Sequence, residues 1–179
     1  MSYDELSNTI DHMLQPGKGI LAADESNNTI AKRLANIHVE NSELNRRNYR
    51  QLLATTPSLG ESISSVILFE ETFMQHDDQG VSLVDHFNKQ GIIPGIKVDK
   101  GLIDLANTDG EKVTEGLDGL VTRLLHFKDL GARFAKWRNV YSIADYSPSL
   151  TAIKVGAENL ARYASVIQSA LYPLSNLKF

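Results

Sequence analysis

Apolar and polar positions alternate along this chain with two different periodicities. Short runs rich in aliphatic and β-branched residues occur at 19–24, 63–71, 92–99 and 132–140. The segments between them space their apolar residues three and four positions apart, which is typical of amphipathic helices, whereas the short runs are typical of buried strands. We predict helices at 3–14, 29–37, 43–54, 81–90, 117–130 and 148–168, and a polar loop at 101–116.

Strands that alternate with amphipathic helices predict an α/β fold built from βαβ units around a parallel sheet. The pattern contains about four such units, with no linker, repeat or low-complexity segment between them. Four units are half of an eight-stranded (β/α) barrel, or alternatively a small doubly wound sheet.

Composition excludes several classes of function. The chain has 179 residues, 42% of them hydrophobic, a net charge of −4 and no cysteine. Neither nucleic-acid binding, an anionic membrane partner, a disulfide framework nor thiolate chemistry is expected. The histidines are scattered without ligand spacing, so we expect no metal site. No apolar run is long enough to cross a bilayer, and the N-terminus lacks the features of a signal peptide, which predicts a cytoplasmic protein.

The stretch FAKWRNV, residues 134–140, has the apolar residues of a packed strand but two cations on one face. Side chains alternate along a strand, so Lys136 and Arg138 face the same way, as do Lys97 and Asp99. Burying an unpaired cation costs several kcal/mol. One interpretation is an internal salt bridge, such as Asp24 with Lys136, that fixes strand register.

The other interpretation is a binding site, because polar residues stand at the carboxyl end of each predicted strand. Ligands bind at the carboxyl edge of such sheets, where we expect Asp24, Lys97, Lys136 and Arg138 to converge in one cavity. A lysine beside other cations has a lowered pKa and can serve as a Schiff-base amine, and several cations around one cavity suit a phosphorylated substrate. The residues at these strand ends are Asp24, Glu25, Ser26, Glu70, Glu71, Lys97, Asp99, Lys100, Lys136 and Arg138.

Seven motifs in unbroken order make the sequence recognisable. They are GKGILAADES, NRRNYRQLL, VILFEET, GIKVDKG, EGLDGL, GARFAKWR and NLARYAS. Together they resemble class I fructose-bisphosphate aldolase, the metal-independent Schiff-base lyase of glycolysis, from about residue 3 to residue 170. The resemblance implies a (β/α)8 TIM barrel, of which these residues form a half-barrel, and cleavage of fructose 1,6-bisphosphate to dihydroxyacetone phosphate and glyceraldehyde 3-phosphate without a cofactor.

The resemblance also implies roles for residues on the strands. Asp24 matches the catalytic aspartate that orders proton transfers at the C4 hydroxyl of the substrate. Lys136 matches an active-site lysine that acts near the carbonyl and helps to dehydrate the carbinolamine. Lys97 matches a second active-site lysine, and Arg138 a substrate-binding arginine.

Residues on the helices are expected to bind phosphate. Arg33 and Arg46 would by default be solvent-exposed, but the resemblance matches them to arginines linked to phosphate or substrate binding. Ser26 begins the segment SNNT, a plausible helix cap whose free N–H groups could hold a phosphate. Thr29 stands where the family often has a phosphate-contacting serine. The family forms homotetramers, an expectation that does not extend to this fragment.

The resemblance stops at about Ala170. The family continues, in one-letter code, as LVPIVEPEI, and codons for that segment read one base further along can spell LYPLSNLKF, which is the segment at 171–179. We interpret residues 1–170 as the N-terminal half of an aldolase barrel and 171–179 as an out-of-frame tail, from a frameshift or a sequencing error. We expect the tail to lie irregularly and not to form a strand.

The expected consequence is a chain without aldolase activity of its own. The family's Schiff-base lysine and strand-five glutamates have no counterpart in these residues, and four strands cannot close a barrel. Three alternatives remain. Lys136 could itself become the Schiff-base amine, as in transaldolase-like barrels. The half-barrel could pair with itself or with a full-length aldolase, or the sequence could be a pseudogene product that is never stably made.

Overall fold

The computed structural model describes residues 3–171, and the remainder of the predicted tail, 172–179, lies outside them. The chain forms two compact units. The first contains the residues up to Lys97 together with Phe127–Ala135, and the second contains Val98–His126 together with the residues from Lys136 onward.

Helices and strands alternate along the chain as the pattern predicts. The helices are α1 Tyr3–Met13, α2 Asn27–Asn36, α3 Glu43–Ala54, α4 Leu59–Ser62, α5 Glu70–Phe73, α6 Leu83–Lys89, α7 Leu120–Asp129 and α8 Leu150–Leu171. The strands are β1 Gly19–Ala23, β2 Ile63–Leu68, β3 Ile93–Lys97, β4 Gly101–Asp104, β5 Lys112–Glu115 and β6 Phe134–Lys136. The short helices α4 and α5 were not predicted, because four residues are too few to show a helical periodicity.

The four predicted strands form one sheet in the order β1-β2-β3-β6. β1 pairs with β2, and β2 with β3, in parallel register. Beside β6, the Arg133 N–H donates to the Pro94 carbonyl at 2.8 Å and the Val98 N–H donates to the Lys136 carbonyl at 3.1 Å. Residue numbers therefore rise in the same direction along β3 and β6, which confirms the prediction of a parallel sheet with helices.

β6 is shorter than the predicted strand at 132–140, since it ends at Lys136. The indole of Trp137 lies 5.2 Å from the ring of Tyr163 and donates a hydrogen bond to Asn139 at 3.1 Å. Side-chain packing and side-chain hydrogen bonds, rather than a strand ladder, hold this part of the chain.

The core of the first unit lies between the sheet and its helices. α2 buries Ile30 and Leu34, which are one turn apart on one helix face. Phe73 and Phe127 meet edge to face with ring centroids 5.3 Å apart. At Gly95 a β-carbon would lie 2.3 Å from the ring of Phe134, so only glycine lets that ring pack against β3.

The second unit contains an antiparallel hairpin, and the prediction of a polar loop at 101–116 is wrong. β4 pairs with β5 from Gly101 opposite Glu115 to Asp104 opposite Lys112. The Leu105 N–H also donates to the Glu111 carbonyl at 2.8 Å. Each strand has four residues, so the alternation was too brief to outweigh the glycines and polar residues around it.

Buried Glu111 fixes the start of α8 in the second unit. Its carboxylate accepts the Ser149 backbone N–H at 2.7 Å and the Ser149 hydroxyl. The same hydroxyl accepts the Ala152 N–H at 3.1 Å. An anion beside unpaired N–H groups stabilises a helix N-terminus, so this hairpin residue orders the long helix.

Candidate functional site

The candidate site of the first unit lies where its strands end. Asp24 and Glu25 directly follow β1, Glu70 and Glu71 follow β2, and Lys97 is the last residue of β3. All five side chains are half-buried. The carboxyl ends of parallel strands lie at one edge of the sheet, so β1, β2 and β3 present their charged residues at the same edge.

Glu71 binds two arginines of α3. The Nε of Arg46 lies 3.1 and 3.0 Å from the two carboxylate oxygens, and its Nη2 lies 2.6 Å from Oε1. Arg50 donates from Nη1 to Oε2 of the same carboxylate. Arg46 and Arg50 are four residues apart on one helix face, and their charges meet a single carboxylate from β2's end. We call these three residues the Glu71 cluster.

Arg50 is the most deeply buried member of the cluster. Its side chain is 2% exposed, compared with 13% for Arg46 and 19% for Glu71. Besides Glu71, it donates from Nη2 to the backbone carbonyl of Glu25 at 3.2 Å, and it lies 5.7 Å from the centre of the Phe69 ring. Arg50 therefore ties α3 to the carboxyl ends of both β1 and β2.

Arg33 on α2 forms a second, more exposed pair. Its Nη1 binds the carboxylate of Glu25 and donates to the Tyr49 hydroxyl at 3.0 Å. The Arg33 side chain is 53% exposed, as expected for a helix surface. Arg46 is mostly buried instead, so the default expectation of an exposed side chain is wrong for Arg46. Arg46 can be buried because the carboxylate of Glu71, which is distant in sequence, compensates its charge.

The SNNT segment begins α2 at Ser26. The Ser26 hydroxyl caps no helix N–H, so the predicted side-chain cap is not formed. It lies 3.2 Å from the Thr29 hydroxyl, and the Thr29 backbone N–H donates to the Ser26 carbonyl at 2.9 Å. The two residues are therefore neighbours at the first turn of the helix.

The Glu71 cluster is ionised in the folded protein. Burial opposes the charge on Glu71, but the hydrogen bonds from Arg46 and Arg50 outweigh it and lower the pKa of the carboxyl below its ordinary value. Hydrogen bonds to Glu71 likewise raise the pKa of Arg46 against its partial burial. Two cations and one anion give the cluster a net charge of +1.

Acid is expected to remove the contribution of Glu71 to stability. Its pKa is lowered on folding from an ordinary 4.5, so the contribution is fully present above the unfolded pKa. It is lost as the pH falls through the folded-state pKa. Urea unfolding of the natural chain and of Glu71→Gln, compared from about pH 7 to about pH 3, should show the difference in unfolding free energy shrinking. A difference that stays constant would contradict the ionised cluster.

The second unit contains Lys136 and Arg138. Lys136 is half-buried and Arg138 is exposed, and the Arg138 carbonyl accepts the Thr114 hydroxyl at 2.7 Å. In the same unit Asp99 is buried, and burial together with the charge of Asp99 raises the pKa of Tyr163 to about 12. The convergence of these cations with Asp24 and Lys97 of the first unit stays a prediction.

Two residues that take part in these contacts, Arg50 and Tyr49, are not among the candidates that the sequence analysis identifies. In the sequence, Arg50 and Tyr49 are only letters of a motif and Glu71 is only a polar residue at a strand end, whereas the structure joins Arg50 to Glu71 and Tyr49 to Arg33. The signal for Arg50 was available, because an arginine one turn from Arg46 shares its helix face. Nothing in the sequence indicates that Glu71 is the shared partner.

Two further properties concern the whole described part of the chain. Between residues 3 and 171, no group of histidine, cysteine, aspartate or glutamate side chains is arranged to hold a metal ion. Over the same residues, every helix is too short or too polar to span a bilayer.

Comparison with known proteins gives one consistent result. The family model described as fructose-bisphosphate aldolase class-I matches residues 5–175. A probable fructose-bisphosphate aldolase class 1 of Xanthomonas axonopodis is 54% identical over 168 residues, which are 94% of this chain and 50% of that protein. The cytoplasmic isozyme of Cicer arietinum is 51% identical over 178 residues, covering 98% of this chain and 50% of that protein. Other relatives are named as cytosolic or chloroplastic.

A solved structure agrees with the sequence matches. Fructose-bisphosphate aldolase of Plasmodium falciparum, crystallised with TRAP and a small-molecule inhibitor, superposes with a TM-score of 0.91 at 50% identity. The match covers 93% of this chain and 49% of that one. The chain therefore spans about half the length of the relatives that it matches.

Proposed function

We propose, because this chain belongs to the class I fructose-bisphosphate aldolase family, that its residues serve the cleavage of fructose 1,6-bisphosphate to dihydroxyacetone phosphate and glyceraldehyde 3-phosphate. The residues matched here supply part of the machinery, since the relatives are about twice as long. The observation that supports the proposal most directly is the layer of arginines at the carboxyl ends of β1 and β2, which suits an anionic sugar phosphate.

Two residues have roles in the reaction itself. Asp24 orders proton transfers at the C4 hydroxyl, and its place directly after β1 is where α/β enzymes hold catalytic groups. Lys136 acts near the substrate carbonyl and helps to dehydrate the carbinolamine. It is the last residue of β6 and is half-buried.

The remaining residues bind the substrate. Lys97 and Arg138 contact the sugar phosphate, and Arg33 and Arg46 contact its phosphate groups. Arginine suits this task because its guanidinium stays charged and makes charge-assisted hydrogen bonds to phosphate oxygens. Ser26 and Thr29, neighbours at the first turn of α2, offer their two hydroxyls to a phosphate at the helix N-terminus. We place the protein in the cytoplasm, like the relative of Cicer arietinum that is named for it.

Binding of fructose 1,6-bisphosphate by the 179-residue chain tests this proposal. We expect binding that weakens as salt is added, because screening reduces the attraction between exposed cations and phosphate. Arg46→Gln should weaken binding about tenfold, which corresponds to the loss of one charge-assisted contact. Isothermal titration calorimetry at two salt concentrations measures both effects.

Arg47→Gln is the matched control, because Arg47 neighbours Arg46 on α3 but pairs with the exposed Asp78. It should change the dissociation constant less than twofold, the limit expected for an exposed ion pair. No binding by the natural chain, or equal losses in both variants, would overturn the assignment of Arg46.

A further inference from the structure

The Glu71 cluster places a carboxylate directly against Arg46, which is an unexpected neighbour for an arginine that binds phosphate. Glu71 binds Arg46 through Nε and Nη2, so an anion of the protein already sits against the guanidinium. A fixed anion repels an incoming phosphate. A carboxylate at this position therefore needs a structural role that outweighs its repulsion of phosphate.

The hydrogen bonds of Arg46 indicate that this role is to hold the guanidinium in place. Glu71 takes Nε and one hydrogen of Nη2, while Nη1 donates to the carbonyl and the side-chain oxygen of Asn41, both at 3.2 Å. The guanidinium is thus held on two sides, and a second Nη2 hydrogen is left over. A long arginine side chain loses considerable rotamer entropy when a ligand immobilises it, and here that loss occurs on folding.

Arg50 holds Glu71 in turn. Because its side chain is 2% exposed, it is not available to a ligand at the sheet edge. Its bonds to Glu71, to the Gln75 side chain at 3.4 Å and to the Glu25 carbonyl at 3.2 Å all lie within the fold. The charge of Arg50 also offsets that of Glu71, which leaves the positive charge of Arg46 for an anion.

We propose that Glu71, anchored by Arg50, is a positioning residue that fixes the Arg46 guanidinium for a phosphate group of the substrate. The inference rests on the proposed function, because it takes Arg46 as the phosphate ligand. It adds that binding depends on the fixed direction of Arg46 more than on the total positive charge around it.

Glu71→Gln separates these two effects, because they have opposite signs. The glutamine keeps nearly the size and shape of the side chain but removes its charge, which raises the net charge of the cluster from +1 to +2. If charge alone governed binding, phosphate would bind more tightly. If the direction of Arg46 governs binding, the looser guanidinium binds phosphate about tenfold more weakly.

The experiment measures dissociation constants of fructose 1,6-bisphosphate and of inorganic phosphate for the natural chain, Glu71→Gln and Asp78→Asn. Asp78→Asn is the matched control, because it removes the carboxylate partner of the neighbouring Arg47 on the same helix. We expect about tenfold weaker binding in Glu71→Gln and less than twofold change in Asp78→Asn. Measurement well below the unfolding temperature of each variant excludes a mere loss of stability.

A second variant covers the case in which Glu71→Gln does not fold. Glu71→Asp keeps the charge but shortens the side chain, so it cannot reach both arginines, and it should also weaken binding. Unchanged or tighter binding in whichever variant folds overturns the positioning role. Failure of the natural chain to bind either ligand counts instead against the proposed function, so the two failures are distinguishable.

Discussion

Replacing Arg50 with methionine is expected to lower the free energy of unfolding by about 3 kcal/mol, at the lower end of the range for breaking a buried ion pair. Methionine fills much of the same space but leaves Glu71 with one arginine instead of two and leaves the Glu25 carbonyl without its donor. The loss stays at the lower end because Arg46 still compensates the carboxylate. Urea unfolding, followed by circular dichroism, measures the change.

The control is Arg47→Met on the same helix. The Arg47 side chain is 21% exposed and its partner Asp78 is 73% exposed, so water replaces the lost ion pair and the expected cost is below about 1 kcal/mol. In a double variant, Arg50→Met with Glu71→Gln, the loss should be smaller than the sum of the single losses, because the two side chains share one interaction. Equal losses for Arg47→Met and Arg50→Met would refute the structural role of Arg50.

The elements that the sequence predicted well have signals within a few neighbouring residues. The predicted helix at 43–54 coincides with α3, where the Ser42 side chain accepts the Asn45 N–H at the N-terminus and Ala54 is buried at the last position. The four strands of the parallel sheet are equally local, since each is a short apolar run between polar segments. The hairpin of β4 and β5 was not predicted, because its two short strands are stabilised mainly by pairing with each other, which neither segment shows by itself.

The same distinction between local and long-range signals applies to the candidate site. The order of strands places Asp24, Glu71 and Lys97 at strand ends without knowledge of any contact. The contacts themselves join residues far apart in sequence, such as Arg46 with Glu71, which are separated by 25 positions. Periodicity can show that Arg46 and Arg50 share a helix face, but only the packing of α3 against the sheet edge shows that this face is charged and buried.

A polypeptide made of these 179 residues is expected to bind fructose 1,6-bisphosphate without cleaving it. Cleavage through an iminium needs an amine nucleophile and acids that move its protons, and the resemblance places those groups on later strands, in the half of the relatives that these residues do not match. Removing one member of a cooperating catalytic set removes most of the rate. A coupled assay for glyceraldehyde 3-phosphate should stay at background.

Joining residues 1–170 to the second half of the Xanthomonas relative should produce cleavage that a chelator does not inhibit, because the resemblance implies a reaction without a metal. Asp24→Asn in that joined protein should lose about a hundredfold or more of the rate, the usual contribution of a positioned acid or base. Turnover by the 179 residues alone, with a borohydride-trapped adduct on Lys136, would show instead that this lysine is the nucleophile. Such a result would make the half-chain a catalyst in its own right, since Lys136 would then form and release the iminium without help from later strands.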